Sequence, residues 1–339
     1  MSKKIKNIGV LTGGGDCPGL NAAIRAVVRE ATNHGMCVYG FKFGWLGVIE
    51  GKFQKLDLNA VSGILPRGGT FLGSSRTNPL EKKEWLKAIQ NQFKKLSLDA
   101  LVVIGGDGTL RATLELYKQY KLPLVGIPKT IDNDLKGTDQ TFGFDTALNI
   151  ATDAIDRIHT TAESHQRIMI VEVMGRDVGW IATMAGIAGG ADFILIPEVP
   201  VHLKEIVNEV KSRNKRGKTF SIVVVAEGAT FECENHKVTH TGKENVAKIL
   251  AHELEKETGY ETRVTILGHV QRGGTPTAFD RVLATRFGVH AIDLIRQKKF
   301  GQMTALHGTK MASVSLSKAV SGLKKCDLEL FKIAKTFFG

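Results

Sequence analysis

Two acidic clusters carry the chemistry open to this sequence. Asp107 stands in Gly105-Gly106-Asp107-Gly108-Thr109, and Asp132 and Asp134 stand in Pro128-Lys129-Thr130-Ile131-Asp132-Asn133-Asp134. The glycines of the first cluster leave room for phosphate oxygens. Asp107 can hold Mg2+, which keeps one or two carboxylates and takes its other ligands from phosphate and water. The carboxylates of the second cluster suit proton abstraction beside a metal-bound phosphate, and Thr130 can orient a hydroxyl. Each cluster also has a blander reading: an acidic turn capping a helix, and an Asx-rich turn.

The elements around them must set their positions. The apolar run Leu101–Ile104 ends at the first cluster, and Leu124–Ile127 ends at the second. Short β-branched runs of this kind read as buried parallel strands, with a crossover helix between them. The carboxyl ends of both strands then lie along one sheet edge, where open α/β sheets bind ligands. Asp107 and Asp132/Asp134 are expected to open onto one crevice. A third turn, Thr12-Gly13-Gly14-Gly15-Asp16-Cys17-Pro18-Gly19, follows the strand Ile8–Leu11 and precedes a helix over 21–32. Its glycines allow close approach, and a helix start attracts phosphate. Pro18 breaks the G-x-G-x-x-G frame, which argues against a dinucleotide site.

Basic residues recur at comparable places. Arg76 ends the glycine-rich loop that contains Arg67, and such a loop can carry a guanidinium to a transferring phosphoryl group. Arg167 and Arg176 bracket the strand Ile168–Val173, so they are expected at its opposite ends. Glu227 closes the strand Ile222–Ala226, and His269 lies in Leu267–Gly274, where it could meet a sugar hydroxyl or phosphate. Further strands are expected at 38–43 and 193–196. Helices are expected at 81–96, 145–161, 180–188, 203–213, 244–256 and 277–296, followed by a lysine-rich, weakly amphipathic tail from Lys310. This alternation predicts an α/β fold of two lobes, each mainly parallel sheet covered by helices.

Composition agrees with that class. A length of 339 residues corresponds to about two domains. The chain is 42% apolar and 24% charged, as in ordinary soluble proteins. No run is long and apolar enough to span a membrane. The N-terminus lacks the apolar core of a signal peptide, so a cytoplasmic location is expected. Cys17, Cys37, Cys233 and Cys326 share no ligand spacing and read as free thiols of a reducing compartment. The net charge of +12 comes largely from scattered lysines with few aromatics between them. That pattern favours a solvated surface over nucleic-acid binding.

Taken together, the clusters resemble 6-phosphofructokinase of the bacterial type, in the family's order from about Ile8 to Arg296. GGDGT alone is shared with NAD and diacylglycerol kinases; followed by PKTIDND, SHQR, VEVMGR and GHVQRGG, it points to one family. The resemblance implies two Rossmann-like lobes with the active site in the cleft between them. One lobe, 1–143 with about 271–306, would bind the donor, and the other, 144–270 with about 307–339, fructose 6-phosphate. It implies phosphoryl transfer from MgATP to the 1-hydroxyl of fructose 6-phosphate. Gly15, Arg76, Thr77, Gly106, Asp107, Gly108 and Thr109 match the donor site, with Asp107 the magnesium ligand. Thr130, Ile131 and Asp132 match the place of the reacting hydroxyl. Asp132 matches the general base, with Thr130, Arg76 and Arg176 beside it. Met174, Gly175, Arg176, Glu227, His269, Val270, Gln271 and Arg272 match the sugar-phosphate site. Arg167 and Arg263 match residues lent to a neighbouring subunit, which implies a homo-oligomer, usually a tetramer.

Two departures bear on this expectation. Gly108 matches members that use ATP, because aspartate there would crowd and repel the α-phosphate. Lys129 matches members that use pyrophosphate. ATP is the expected donor, since Gly108 removes a block while Lys129 need not exclude a nucleotide; pyrophosphate is the alternative. In the family's effector site, Arg25, Arg29, Arg216 and Lys218 match basic residues, but Lys52 and His159 replace arginines and Asp192 replaces glutamate. A non-catalytic sugar-phosphate sensor is the remaining rival, though it would not need both Asp107 and Asp132.

Overall fold

Buried apolar runs become parallel strands, and polar turns join them at the strand ends. The computed structural model describes residues 4–233, 236–238 and 245–338. The chain forms two units: Met1–Thr146 with Arg272–Leu323, and Ala147–Gln271 with Lys324–Gly339.

The first unit begins with β1 (Asn7–Thr12), α1 (Leu20–Asn33), β2 (Cys37–Phe41), α2 (Trp45–Glu50) and β3 (Phe53–Leu56). It continues with α3 (Lys83–Lys95), β4 (Ala100–Gly105), α4 (Asp107–Tyr120) and β5 (Leu124–Pro128). Every residue of β4 and β5 is buried, as a strand covered on both faces requires.

The second unit runs from α5 (Phe144–His165), which starts at the boundary, through β6 (Ile168–Val173), α6 (Trp180–Ala188), β7 (Phe193–Leu195) and β8 (Val201–His202). Then follow α7 (Leu203–Lys215), β9 (Ser221–Ala226), β10 (Phe231–Cys233), β11 (His236–Val238), α8 (Val246–Thr258), β12 (Thr262–Ile266) and a 3-10 turn at Gly268–Arg272. The expected start of α8 at Glu244 lies outside the described residues. The strands β12, β6, β9 and β7 form one parallel sheet in that order, and β11, β10 and β8 form a small separate one.

The chain returns to the first unit with α9 (Ala278–Arg296), β13 (Gln302–His307), β14 (Lys310–Ser315) and α10 (Leu316–Ala319), and ends with α11 (Leu328–Lys335) in the second. The completed first sheet has the order β14-β13-β5-β4-β1-β2-β3, parallel except for its two outermost pairs.

Two expectations need correction. Residues 307–323 were expected with the second lobe, yet β14 folds back on β13 through a Gly308-Thr309 turn and belongs to the first sheet. The polar alternation of β14 hides it: its outward side chains face solvent, and within the strand only Val314 is buried. The strand expected over 38–43 stops at Phe41, because Phe43 takes a left-handed backbone with φ 57° and redirects the chain into α2. Among the described residues, all four cysteines are free, and no helix is long and apolar enough to cross a membrane.

The starts of α5 and α9 are tied together within the first unit. Asp280, fully buried, accepts the N–H of Gly143 at 2.9 Å and both the N–H and the hydroxyl of Thr146, at 2.8 and 2.5 Å. Thr277 in turn caps α9 and gives its hydroxyl to Asp145 at 2.6 Å. Burial pushes the Asp280 carboxyl up to about 6, against the pull of these hydrogen bonds. A raised acid favours its neutral form in the native state, so its contribution is complete below about pH 4 and lost as pH rises through about 6. The size of that loss is about 3 kcal/mol. Denaturant unfolding is expected to show stability falling across this interval, and Asp280→Asn to flatten the fall; equal slopes in both proteins would remove Asp280 as the cause.

Candidate active site

The parallel register sets the donor edge. β4 lies between β1 and β5, so the turns after all three strands leave from one side of the sheet. The three turns hold one another. Gly13 donates to Ile104 O at 2.9 Å, and Lys129 donates to Gly105 O at 3.0 Å. A Cβ on Gly13 would come within 2.8 Å of the Thr109 side chain, so the first glycine turn can close on the second only without one. Gly14 donates to Ser75 O at 2.9 Å, and the Ser74 hydroxyl donates to Gly14 O, which brings the loop of Arg76 and Thr77 to the same place.

Asp107 is the first residue of α4, whose opening N–H groups have no partner within the helix. Its Oδ2 accepts from Nε of Arg111, one turn on, at 2.7 Å. Its Oδ1 is buried and, among the described residues, has no hydrogen-bond partner. A buried carboxylate oxygen left without a donor is costly, and a hard cation satisfies it. Among the described residues, no three His, Cys, Asp or Glu side chains converge, so Mg2+ at Asp107 would complete its shell from phosphate and water. Arg111 is a site residue beyond those expected, and its i+4 spacing from Asp107 on a helix is the sequence signal for it.

Gly108 is exposed, and a Cβ there would meet nothing within 4 Å among the described residues. Neither packing nor a left-handed backbone requires glycine at this position. Lys129 is the opposite case, at 4% exposure. Its amine donates to the carbonyl of Gly15, and burial pushes its pKa down, with the cations and anions around it acting in both directions.

The loop after β5 is an ordered, buried turn. Thr130 Oγ1 accepts the Asp132 N–H at 3.0 Å and lies 3.3 Å from Asp132 Oδ2. Thr141 ties the loop down from the far side through Thr130 O at 2.7 Å and Asn133 Oδ1 at 3.1 Å. Asp132 is 7% exposed, and Ile131 packs fully inside. A Cβ on Gly106 would lie 3.3 Å from Lys129 O and 3.9 Å from Thr130 Cβ, so the two acidic turns adjoin. Asp107 does not cap α4, whose N-cap is Gly106 with no side-chain cap hydrogen bond, whereas the second cluster is a hydrogen-bonded turn; the two meet at one edge.

In the second unit, β12, β6 and β9 lie side by side and parallel, and their carboxyl ends gather a second group. Met174 donates to Gln271 Oε1 at 3.3 Å, and Arg176 donates through its N–H to Glu227 Oε1 at 2.8 Å. Arg176 has φ 56°, and its carbonyl would stand 1.9 Å from a Cβ on Gly228. His269 and Val270 are exposed in the 3-10 turn. Arg167 and Arg263 lie at the other end of this sheet. Arg167 Nε donates to Glu261 Oε2 at 2.7 Å, and Arg263 Nη2 donates to the other oxygen of the same carboxylate. These guanidiniums hold the Glu261 carboxyl below the usual range, the Arg167 hydrogen bond contributing most. Arg272, expected with the sugar-phosphate residues, sits in the first unit and donates to Asp16 O at 3.2 Å. Of the effector-site matches, Asp192 is held by Arg213 at 2.8 Å, and His159 bonds Gly189 O at 2.6 Å.

Two glycine-to-alanine substitutions separate packing from function. Gly108→Ala is expected to keep or raise stability, by about 0.5–1 kcal/mol, because a helix position gains a better helix former. Gly228→Ala must push Arg176 aside and is expected to cost about 1–3 kcal/mol. Denaturant unfolding of both variants checks the pair; destabilisation by Gly108→Ala would show a packing role for that glycine.

A family model described as phosphofructokinase matches residues 7–295. The chain is 52% identical to a pyrophosphate–fructose 6-phosphate 1-phosphotransferase of Streptomyces coelicolor, over 98% of this chain and 99% of the relative. It is 53% identical to ATP-dependent 6-phosphofructokinase 3 of the same organism, over 94% and 95% of the two chains. Among solved structures, Pichia pastoris phosphofructokinase in the T-state superposes with a TM-score of 0.84 at 33% identity; the match covers 99% of this chain and 37% of that longer one. With strand edges, acidic turns and near full-length relatives in agreement, the chain belongs to the phosphofructokinase family.

Proposed function

We propose that this protein transfers the terminal phosphoryl group of MgATP to the 1-hydroxyl of fructose 6-phosphate, giving fructose 1,6-bisphosphate and ADP in the cytoplasm. The observation that carries this reading is the adjacency of the two acidic turns: a buried, unpartnered Asp107 oxygen beside the ordered Thr130–Asp132 loop. Phosphoryl transfer depends on position and charge neutralisation more than on covalent chemistry. Asp107 would hold Mg2+, which would supply neutralisation of the donor phosphates. Asp132 accepts the proton of the attacking hydroxyl, with its carboxylate oriented by Thr130. Gly15, Gly106, Gly108 and Thr109 hold the donor phosphates, with Thr77 beside them. Arg76 and Arg176 offset charge on the transferring group. Met174, Gly175, Glu227, His269, Val270, Gln271 and Arg272 bind the sugar phosphate together with Ile131.

Arg167 and Arg263 act on a neighbouring copy in a homotetramer. β6 is six residues long, and so spans about 20 Å between these arginines and the Met174–Arg176 turn. Side chains at both ends of such a strand do not reach one sugar phosphate of the same chain.

Pyrophosphate is the second reading for the donor. Lys129, buried against the glycine turn, places a cation where a compact polyphosphate could use it. The relatives named above include enzymes named for each donor. ATP is preferred because the open space at Gly108 admits the bulk of a nucleotide.

The test is fructose 6-phosphate phosphorylation with Mg2+, comparing ATP and pyrophosphate at matched concentration. Turnover with ATP is expected; turnover with pyrophosphate alone would reverse the donor assignment, and turnover with neither would favour a sensor. Asp132→Asn should reduce kcat on the order of 10²–10⁴-fold, as expected for loss of a general base, with the KM for fructose 6-phosphate within a few-fold. Near wild-type kcat in that variant would take the role from Asp132.

A further inference from the structure

Phe43 is a large aromatic side chain placed where folding alone does not favour one. It is 48% exposed, and its backbone lies in the left-handed region at φ 57°. A bulky residue is unfavourable in that conformation, which glycine adopts freely. Strain retained by a bulky residue at a site edge points to a role outside the fold. The position is also held firmly. The Phe43 N–H donates to Leu72 O at 2.9 Å, and the Phe43 carbonyl accepts the Ser75 hydroxyl at 2.7 Å.

These contacts tie Phe43 to the donor turns. The Ser75 carbonyl accepts the Gly14 N–H, and the Ser75 hydroxyl lies 3.1 Å from the Thr77 hydroxyl. A Cβ on Gly73 would come within 2.7 Å of the Phe43 ring, so one part of the ring rests on the segment that leads to Arg76. The rest of the side chain contributes to its exposed surface.

We propose that Phe43 is a specificity-determining residue of the donor site, a stacking surface for the nucleobase of the nucleoside triphosphate. The proposal rests on the ATP reading above. Phosphate groups offer an aromatic ring no face to stack on, whereas every nucleobase does. An aromatic platform therefore favours a nucleotide donor over a bare polyphosphate. It acts in the same direction as the open space at Gly108 and opposes the advantage that Lys129 gives to pyrophosphate.

The test compares wild type with Phe43→Gly and Phe43→Tyr. Glycine removes the ring and relieves the left-handed backbone, so the loop keeps its shape; tyrosine keeps the stacking face. Dissociation constants for MgATP and for magnesium tripolyphosphate are measured by calorimetry, alongside the KM values for ATP and fructose 6-phosphate. Loss of one base-stacking contact corresponds to weakening on the order of 10–100-fold. Phe43→Gly is expected to weaken MgATP by that factor, leave tripolyphosphate and fructose 6-phosphate within about twofold of wild type, and preserve the melting temperature; Phe43→Tyr restores ATP binding. Unchanged ATP binding in Phe43→Gly overturns the proposal. So does parallel weakening of ATP and tripolyphosphate, which would show that the ring only shapes the loop. Failure of the ATP reading is seen separately, in the wild-type arm: an enzyme that turns over pyrophosphate but neither binds nor turns over ATP.

Discussion

Parallel hydrogen bonding among β1, β4 and β5 is the constraint on which the donor half depends. In register, Leu11 faces Val103, and Ile104 faces Ile127. Because the three strands run the same way, their polar turns must leave from one edge. An antiparallel arrangement would send one of the turns to the other end of the sheet. The apolar side chains that enforce the pairing are fully buried and take no part in the chemistry. Their task is to make three separate stretches of sequence neighbours.

Once adjacent, the turns stabilise one another through polar contacts that their sequences alone do not announce. Lys129 bonds the carbonyl of Gly15, and Thr141 closes the Asp132 loop from behind. The cost of burying these polar groups is offset by hydrogen bonds made within the loops. Charge is separated differently in the second unit. One end of its sheet carries Arg176 and Glu227, and the other carries Arg167 and Arg263 around Glu261. A single strand divides the two groups, so each must face a different environment.

Sequence made the central unit legible because its signals were local and repeated. Strand ends, glycines and acids coincide at Asp107 and again at Asp132, and the helices around them keep the expected order. Signals that depend on distant partners were not legible. Arg263 is two residues from Glu261, but nothing near Glu261 in the sequence shows that it also holds Arg167, because that link is made across β6 and β12. Arg272 sits in a motif whose neighbours belong to the second unit, yet its guanidinium reaches Asp16. The β13–β14 hairpin was obscured by lysine and by small polar residues on its exposed side. The domain boundary shifted with it, because a half-solvated edge strand lacks the continuous apolar run that marks a central one.

The first unit is assembled from two pieces of chain, with residues 147–271 of the second unit between them. During synthesis, β1 to β5 emerge well before β13, the strand that covers the β5 edge. Until then β5 carries open backbone donors and acceptors along a strand of wholly buried character. Such an edge is a template for pairing with another chain. Closing it late means bringing together residues far apart in sequence, with a loop-closure cost that local contacts do not share. The β5 edge of this protein therefore stays unpaired until β13 is available to close it.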